Sequence, residues 1–433
     1  MKSLWLEQIN LPEFPCLEGN VKTDVLIIGG GFAGILCAHM LEQAGIDYIL
    51  IEADRICRGI SGNTTAKITS QHGLIYSKIE KRYGTKAARM YFRANEDARR
   101  RYKSLCEQIP CDYRQMDSIV YSTESREKLE AEMRSLEHIG CPGKFLETIP
   151  LPVSTCGAVC FPNQAQFHPM KLIAGIVPGL KIYENTKALS FDGTGVETNH
   201  GKIRAGAVIA ATHFPLFNKH GSYFLKMYQH RSYVLALENA QRLDAMYVDE
   251  SKKGLSFRGY KDLLLLGGGG HRTGKQGGNW AELEDFAKKH YPNAKVVTQW
   301  AAQDCMTLDG IPYIGQYSSR TANMYVATGF NKWGITSSMV AAAILCDLIQ
   351  GKENPYADIF SPSRSILHPQ LACNALETTM NLLTPTKPRC PHMGCALKWN
   401  PQEHSWDCPC HGSRFSDKGE LINNPANDDL NMD

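Results

Sequence analysis

Asp24–Ile28 reads as a short strand, apolar after its first residue, and the glycine string after it opens a segment with helical spacing to about residue 44. A second apolar run occupies 48–52. Apolar runs without polar alternation belong to strands covered on both faces, so this strand–helix–strand order predicts a parallel sheet. Residues 79–108 and 124–139 are charged and helix-like. Alternating strand patterns with glycine turns fill 181–214 and end in Ala207-Val208-Ile209-Ala210-Ala211. Residues 228–300 mix strands with a helix near 281–290, and the glycines after Leu263-Leu264-Leu265-Leu266 read as a strand-end turn. A strand at 323–328 precedes Gly329 and a helix over about 336–349, and His168-Pro169 starts another helix. Residues 1–22, with Pro12 and Pro15, read as an irregular arm. Residues 361–389 belong to a proline-rich stretch, with Pro362, Pro369, Pro385 and Pro388, and read as a linker or wrap.

A chain of 433 residues, 43% of them hydrophobic, has material for two to three domains at roughly 150 residues each. A formal net charge of +3 gives no reason to expect nucleic acid or a membrane surface. No run reaches the roughly 18 apolar residues of a membrane span, and the start has no apolar signal-peptide core. The expected location is therefore the cytoplasm. Of the fifteen cysteines, eleven are scattered between Cys16 and Cys373 with no framework spacing, and four cluster at Cys390, Cys395, Cys408 and Cys410. In a cytosolic protein such a cluster points to a metal site.

Gly29-x-Gly31-x-x-Gly34 lies between the first strand and its helix. Gly29 permits a tight turn, Gly31 lets the backbone approach a pyrophosphate, and Gly34 allows close packing of helix on strand. Phe32 and Ala33 fall at the helix N-terminus, where free N–H groups and the positive dipole end suit phosphate. Glu52, with Ala53 beside it, ends the second strand eighteen residues after Gly34, placed to accept hydrogen bonds from ribose hydroxyls. The pattern leaves FAD and NAD both open.

Further segments carry a resemblance. Arg58-Gly59-Ile60-Ser61-Gly62-Asn63-Thr64-Thr65-Ala66-Lys67, Thr307-Leu308-Asp309-Gly310-Ile311-Pro312-Tyr313-Ile314-Gly315 and Ala327-Thr328-Gly329-Phe330-Asn331-Lys332-Trp333-Gly334-Ile335-Thr336 resemble, in order, motifs of the FAD-dependent amine and amino-acid oxidases related to D-amino acid oxidase, glycine oxidase and sarcosine oxidase. The resemblance covers about 22–360. It implies an α+β and α/β fold, with a Rossmann-like FAD-binding domain and an inserted antiparallel-sheet substrate domain. The FAD-binding parts fall at about 22–105, 150–215 and 303–355, and the substrate domain at about 106–149 and 216–302. It implies FAD contacts from Ser61, Thr64, Thr65, Asp309, Gly329, Gly334, Ile335 and Thr336, with Ala188 near the adenine. The third motif opens a helix whose N-terminus would stabilise negative charge on reduced flavin. Ala302 stands where some relatives attach flavin through cysteine, so the expected FAD is non-covalent, although Cys305 lies close by.

The C-terminal sequence reads Cys390-Pro391-His392-Met393-Gly394-Cys395 and Cys408-Pro409-Cys410-His411-Gly412-Ser413. Two loops each offering one Cys and one His suit a Rieske [2Fe–2S] centre, and the same donor types suit a Cys2His2 zinc site. Resemblance to Rieske proteins implies the ligands Cys390, His392, Cys408 and His411, with Cys395 and Cys410 as a loop-to-loop disulfide. The extra cysteines and the Cys-Pro-Cys-His-Gly-Ser string favour this over zinc. Phe415 stands where respiratory Rieske proteins often carry Tyr, which removes one hydrogen bond to sulfur and lowers the potential. The domain, 390–433, is short for its kind and implies a reduced base, or one completed by the oxidase body or another subunit.

A flavin takes two electrons and a [2Fe–2S] cluster carries one. The chain therefore reads as an FAD-dependent oxidoreductase that converts the C–N bond of an amine or amino acid to an imine and passes single electrons to an unidentified acceptor. Candidate substrate residues are Tyr228, Arg231, Tyr233, Arg258, His271, Lys332 and Trp333; Arg258 could pair a carboxylate. The alternative is an electron-transfer flavoprotein or redox sensor without amine turnover.

Overall fold

The computed structural model describes residues 2–193, 195–217, 221–251 and 254–431. Val21–Ile28 and Tyr48–Ile51 pair in parallel, and all four residues of the second are buried. Gly201–Ala210 runs parallel on the other side of Val21–Ile28, with Ile28 opposite Ala210. Met324–Thr328 follows in parallel and Tyr313–Gln316 closes that edge antiparallel. Ile182–Tyr183 extends the opposite edge. Helices Phe32–Gln43 and Gly334–Ile349 pack against each other. The carboxyl ends of Val21–Ile28 and Gly201–Ala210 thus lie side by side, where open α/β sheets bind their ligands.

A second, nine-stranded sheet runs in the order Lys295–Thr307, Met227–Glu238, Leu263–Arg272, Ser256–Tyr260, Ala245–Asp249, Arg114–Ser122, Gly157–Gln166 and Lys67–Ile68, with Lys144–Leu146 paired beside Gly157–Gln166. One pairing, Ala245–Asp249 with Arg114–Ser122, is parallel and the others are antiparallel. Gly157–Gln166 and Lys67–Ile68 belong here although they fall inside segments expected in the FAD-binding part. A strand pattern reveals burial, not the sheet that supplies it. The glycines at 267–270 are not a turn: they lie within Leu263–Arg272, where a Cβ on Gly269 would sit 2.1 Å from the Asn279 carbonyl.

Both segments read as irregular contain helices. Leu4–Gln8 is a helix with fully buried Trp5, whose indole donates to the Thr64 carbonyl at 2.6 Å. The stretch read as a linker holds the helix Pro369–Leu383. Its proline occupies the first turn, where the missing N–H costs nothing, and His368 caps the Gln370 N–H at 3.1 Å. Four short strands, Lys398–Asn400, Ser405–Asp407, Arg414–Ser416 and Leu421–Asn423, then form an antiparallel meander. Among the described residues no helix is long and apolar enough to cross a membrane.

Trp5→Ala is expected to cost about 3–5 kcal/mol, whereas Leu367→Ala, at a side chain 79% exposed, should stay within about 0.5 kcal/mol of wild type. Denaturant unfolding of both variants checks the contrast.

Candidate functional site

The cradle is built by close backbone approach. Gly29 has φ +111, and a Cβ there would lie 2.6 Å from the Ala211 carbonyl oxygen. A Cβ on Gly34 would lie 2.0 Å from the Gly29 oxygen, so only glycine lets the helix start this close to the strand. No side chain caps that helix at Gly31, although the Phe32 N–H donates to Ser61 Oγ at 3.0 Å. Glu52 accepts from Gly30 N–H at 2.7 Å and Asp54 N–H at 3.1 Å. Burial pushes its carboxyl above the usual range.

A cavity of about 1840 Å³ opens from this cradle and is lined by Gly29, Gly31, Phe32, Ala33, Glu52, Ala53, Ser61, Thr64, Thr65 and Ala188. It continues past Asp309, Gly329, Gly334 and Ile335, where helix Gly334–Ile349 begins with no side-chain cap. Its wall includes Asn423, Asn424 and Ala426 of the C-terminal domain. The uncapped helix start, the Glu52 carboxylate and the glycine cradle fit a dinucleotide with a reducible ring.

In the C-terminal domain, Cys390, Cys395, Cys408 and Cys410 are all buried. The His392 and His411 rings are 5.0 Å apart, and neither nitrogen of His392 nor Nδ1 of His411 has a hydrogen-bond partner. Burial lowers His392 to about 4 and His411 to about 3, so both are neutral donors near pH 7. Buried imidazole nitrogens without hydrogen-bond partners, beside thiols, are groups that metal ligation would satisfy. Cys395, Cys408 and Cys410 have sulfurs within 4.8 Å of one another and stand as free thiols. The donor set fits a [2Fe–2S] cluster on Cys390, His392, Cys408 and His411, with Cys395 and Cys410 close enough together to pair.

The model of the FAD dependent oxidoreductase family matches residues 24–348. The chain belongs to the FAD-dependent oxidoreductases. A Rieske [2Fe-2S] domain matches residues 379–432. This oxidoreductase binds FAD in its larger part and a [2Fe–2S] cluster in its C-terminal domain. It is 32% identical to the Rieske 2Fe-2S iron-sulfur protein YhfW of Bacillus subtilis (strain 168), over 98% of this chain and 96% of that one. It is 27% identical to gamma-glutamylputrescine oxidoreductase of Escherichia coli (strain K12), over 78% and 86%. Its fold is similar to L-proline dehydrogenase from P. horikoshii (TM-score 0.67, 19% identity, 80% of this chain and 98% of that one). It is likewise similar to glycine oxidase from Geobacillus kaustophilus (TM-score 0.66, 20% identity, 79% and 99%).

The structure does not place every expected residue of the oxidoreductase at the cavity. Thr336 is turned to Thr69, donating to its carbonyl at 2.8 Å, and does not line the cavity. Asp309 is held by Arg364 and by Tyr83 OH at 2.8 Å; burial opposes its charge, but Arg364 keeps it below the usual range. Tyr228, Tyr233, Arg231, Lys332 and Trp333 line the cavity, and Trp333 stacks on His72 at 5.0 Å. Arg258 does not line it: its guanidinium donates to Gln166 Oε1 and to the Thr65 and Phe167 carbonyls, and it lies over Trp5. Buried and held at three points in bracing the cradle loop, it does not face the cavity where a substrate carboxylate would lie. His271 also lies behind the wall, bonded to Tyr233 OH at 3.0 Å.

Two cavity residues escaped the sequence reading. Lys67, ending the first resembling motif, is buried; burial, then nearby Arg258, lowers it to about 7. Asp304 is raised by burial to about 6, against the pull of Lys332 and Arg231. Lys67 closes a motif without being singled out by it and Asp304 lies outside any motif; the fold turns both into the cavity.

Gly29→Ala should abolish flavin retention, because backbone blocks the new methyl, whereas Gly31→Ala meets only the movable Ser61 hydroxyl at 2.9 Å and should weaken it. The flavin-to-protein absorbance ratio checks this. Lys67 binds fewer protons folded than unfolded between about pH 7 and 10, so its cost is complete below 7 and fades above it. In flavin-stripped protein, the stability advantage of Lys67→Met should therefore shrink as pH rises from 7 to 10, and a pH series of denaturant melts reads it.

Proposed function

We propose that this oxidoreductase is a dehydrogenase of a small amine or amino acid that releases its electrons one at a time, through the cluster, to an external one-electron acceptor. One observation carries the reading: the ligand loops are docked on the flavin-binding body with the histidines turned inward. His411 is buried, with Phe224 against it at 6.2 Å, and His392 meets Phe214 at 6.4 Å. A cluster serving only an outside partner would leave that edge open.

Bound FAD supplies hydride acceptance from the carbon beside nitrogen, and the cluster supplies one-electron steps. The chain's own groups shape the pocket. Trp333 and Tyr228 offer walls, while Asp304 offers a carboxylate that can hold a substrate ammonium. The named activities of the relatives, on gamma-glutamylputrescine, L-proline and glycine, all concern compounds with a C–N bond. The substrate loses two electrons and two protons to give an imine, and two equivalents of one-electron acceptor balance the turnover. We place the protein in the cytoplasm, in keeping with its scattered cysteines outside the C-terminal cluster, which show no framework spacing.

Anaerobic mixing of holoenzyme with a panel of amines and amino acids should bleach flavin first and cluster second. Cys408→Ser should keep flavin bleaching and lose at least tenfold in reduction of a one-electron dye. Flavin bleaching with none of the panel, or dye reduction undiminished in the variant, would sink the reading.

A further inference from the structure

The second ligand loop is held largely from outside its own domain. Its four successive carbonyls all accept from side chains of the nine-stranded sheet. Arg272 Nε donates to Pro409 O at 3.0 Å and Arg272 Nη2 to Cys410 O at 2.9 Å. Gln229 Nε2 donates to His411 O at 2.9 Å and Gln303 Nε2 to Gly412 O at 2.8 Å. These donors stand on three neighbouring strands, Leu263–Arg272, Met227–Glu238 and Lys295–Thr307. The approach leaves no room for side chains between: a Cβ on Gly412 would lie 2.5 Å from Gln229 Cβ, and one on Gly274 would lie 2.6 Å from Pro409 N.

Arg272 differs from the two glutamines by its charge. Its third donor goes to Asn374 Oδ1 at 2.9 Å, and the Tyr228 ring lies 4.9 Å from the guanidinium. All its hydrogen-bond partners are therefore neutral. The acid whose charge acts on Arg272 is Glu377, whose carboxylate is bonded to Lys275 Nζ at 2.7 Å. Arg272, Lys275 and Glu377 together leave one net positive charge against the loop that carries Cys408 and His411. Guanidinium does not lose its proton in proteins, so the charge is permanent.

We propose that Arg272 is a positioning residue that sets the reduction potential of the cluster, raising it with a fixed positive charge supplied by the flavin-binding body. The inference rests on the assignment of Cys390, His392, Cys408 and His411 as ligands. With two thiolates and two neutral imidazoles, the oxidised cluster is neutral and the one-electron-reduced cluster carries one negative charge. A cation held in a partly dehydrated seam stabilises the reduced form and leaves the oxidised form nearly untouched. Its effect opposes that of Phe415, which lacks a hydroxyl to donate to sulfur. Because Arg272 comes from the other domain, the potential acquires its full value only while the cluster domain is docked.

The test is a redox titration of holoenzyme, with the cluster followed by EPR and the flavin by absorbance. Arg272→Gln should lower the reduced-to-oxidised ratio of the cluster at a fixed potential at least tenfold, a shift of about 59 mV for one electron. Arg272→Lys should keep most of the wild-type value, and the flavin midpoint should not move. Glu377→Gln removes a negative charge without touching the loop and should shift the cluster midpoint upward, an independent arm if Arg272→Gln fails to hold its cluster. A midpoint unchanged in Arg272→Gln, lowered equally in Arg272→Lys, or unmoved in Glu377→Gln overturns the role of Arg272. A wild-type holoenzyme without a Rieske EPR signal overturns the ligand assignment itself, and the proposal with it.

Discussion

Glu403 is a carboxylate from the C-terminal domain buried between two guanidinium groups, one from each side of the domain seam. Arg231 of the nine-stranded sheet pairs with it, and Arg414 of the C-terminal meander donates to the same Oε2 at 2.9 Å. Tyr233 OH adds a hydrogen bond at 2.9 Å to the other oxygen, and Arg414 continues to Asp407 at 2.9 Å. Burial alone would raise the Glu403 carboxyl, but the two arginines hold it below the usual range. The C-terminal domain depends on this seam because its own buried apolar cluster consists of four cysteines, Leu397, Phe415, Ala426 and Leu430. So small an apolar core leaves the domain reliant on its metal group and on contacts across the seam. Removing one member of such a buried set costs about 3–5 kcal/mol, since the others stay buried without compensation. The oxidoreductase body thus contributes Arg231 and Tyr233 to the polar cluster that closes this domain's inner side.

A similar economy governs the cradle loop. The N-terminal helix brings Trp5 under the loop, where its indole holds the Thr64 carbonyl while Arg258 holds the next one. Arg258 itself is stacked on Trp5 and bonded to Gln166 and Phe167. This cavity-lining loop is therefore fixed by residues of the arm and of the second sheet, two segments that contribute nothing to the nucleotide motif. Cofactor binding and the packing of the two sheets are linked through this one arginine.

These braces mark where sequence reading reaches its limit. The glycine cradle, Glu52, the flavin motifs and the Cys–His loops are legible because backbone approach and metal ligation each demand particular residue types at fixed spacing. Helix Pro369–Leu383 was obscured because prolines signal interruption, yet Pro369 at a helix start is a favoured position. Arg258 and His271 looked like substrate residues because a charged or titratable side chain in a strand has no visible partner until the fold supplies Gln166, Thr65 or Tyr233. Lys67 and Asp304 carried the opposite error: ordinary charges in sequence, they become perturbed only when the cavity closes around them.

One piece of chain that reaches both centres is the turn after Gly201–Ala210. Ala211, Thr212 and His213 line the cavity, and Phe214 stands against the His392 ring. Asn424 of the C-terminal domain donates to the Thr212 carbonyl at 2.9 Å and the Phe214 carbonyl at 3.0 Å, clipping the turn from the far side. The backbone here is constrained: His213 has φ +67, costly for a residue with a Cβ, and its Nε2 is buried without a partner. Burial lowers that imidazole to about 4, which keeps it uncharged between two redox sites. The cost is tolerated because Gly29, which packs on the Ala211 carbonyl, and Asn424, which clips the same turn, fix its two ends independently. One tight turn therefore carries the register of the nucleotide cradle and that of the cluster domain at once. An insertion there would separate the two centres even with every motif intact.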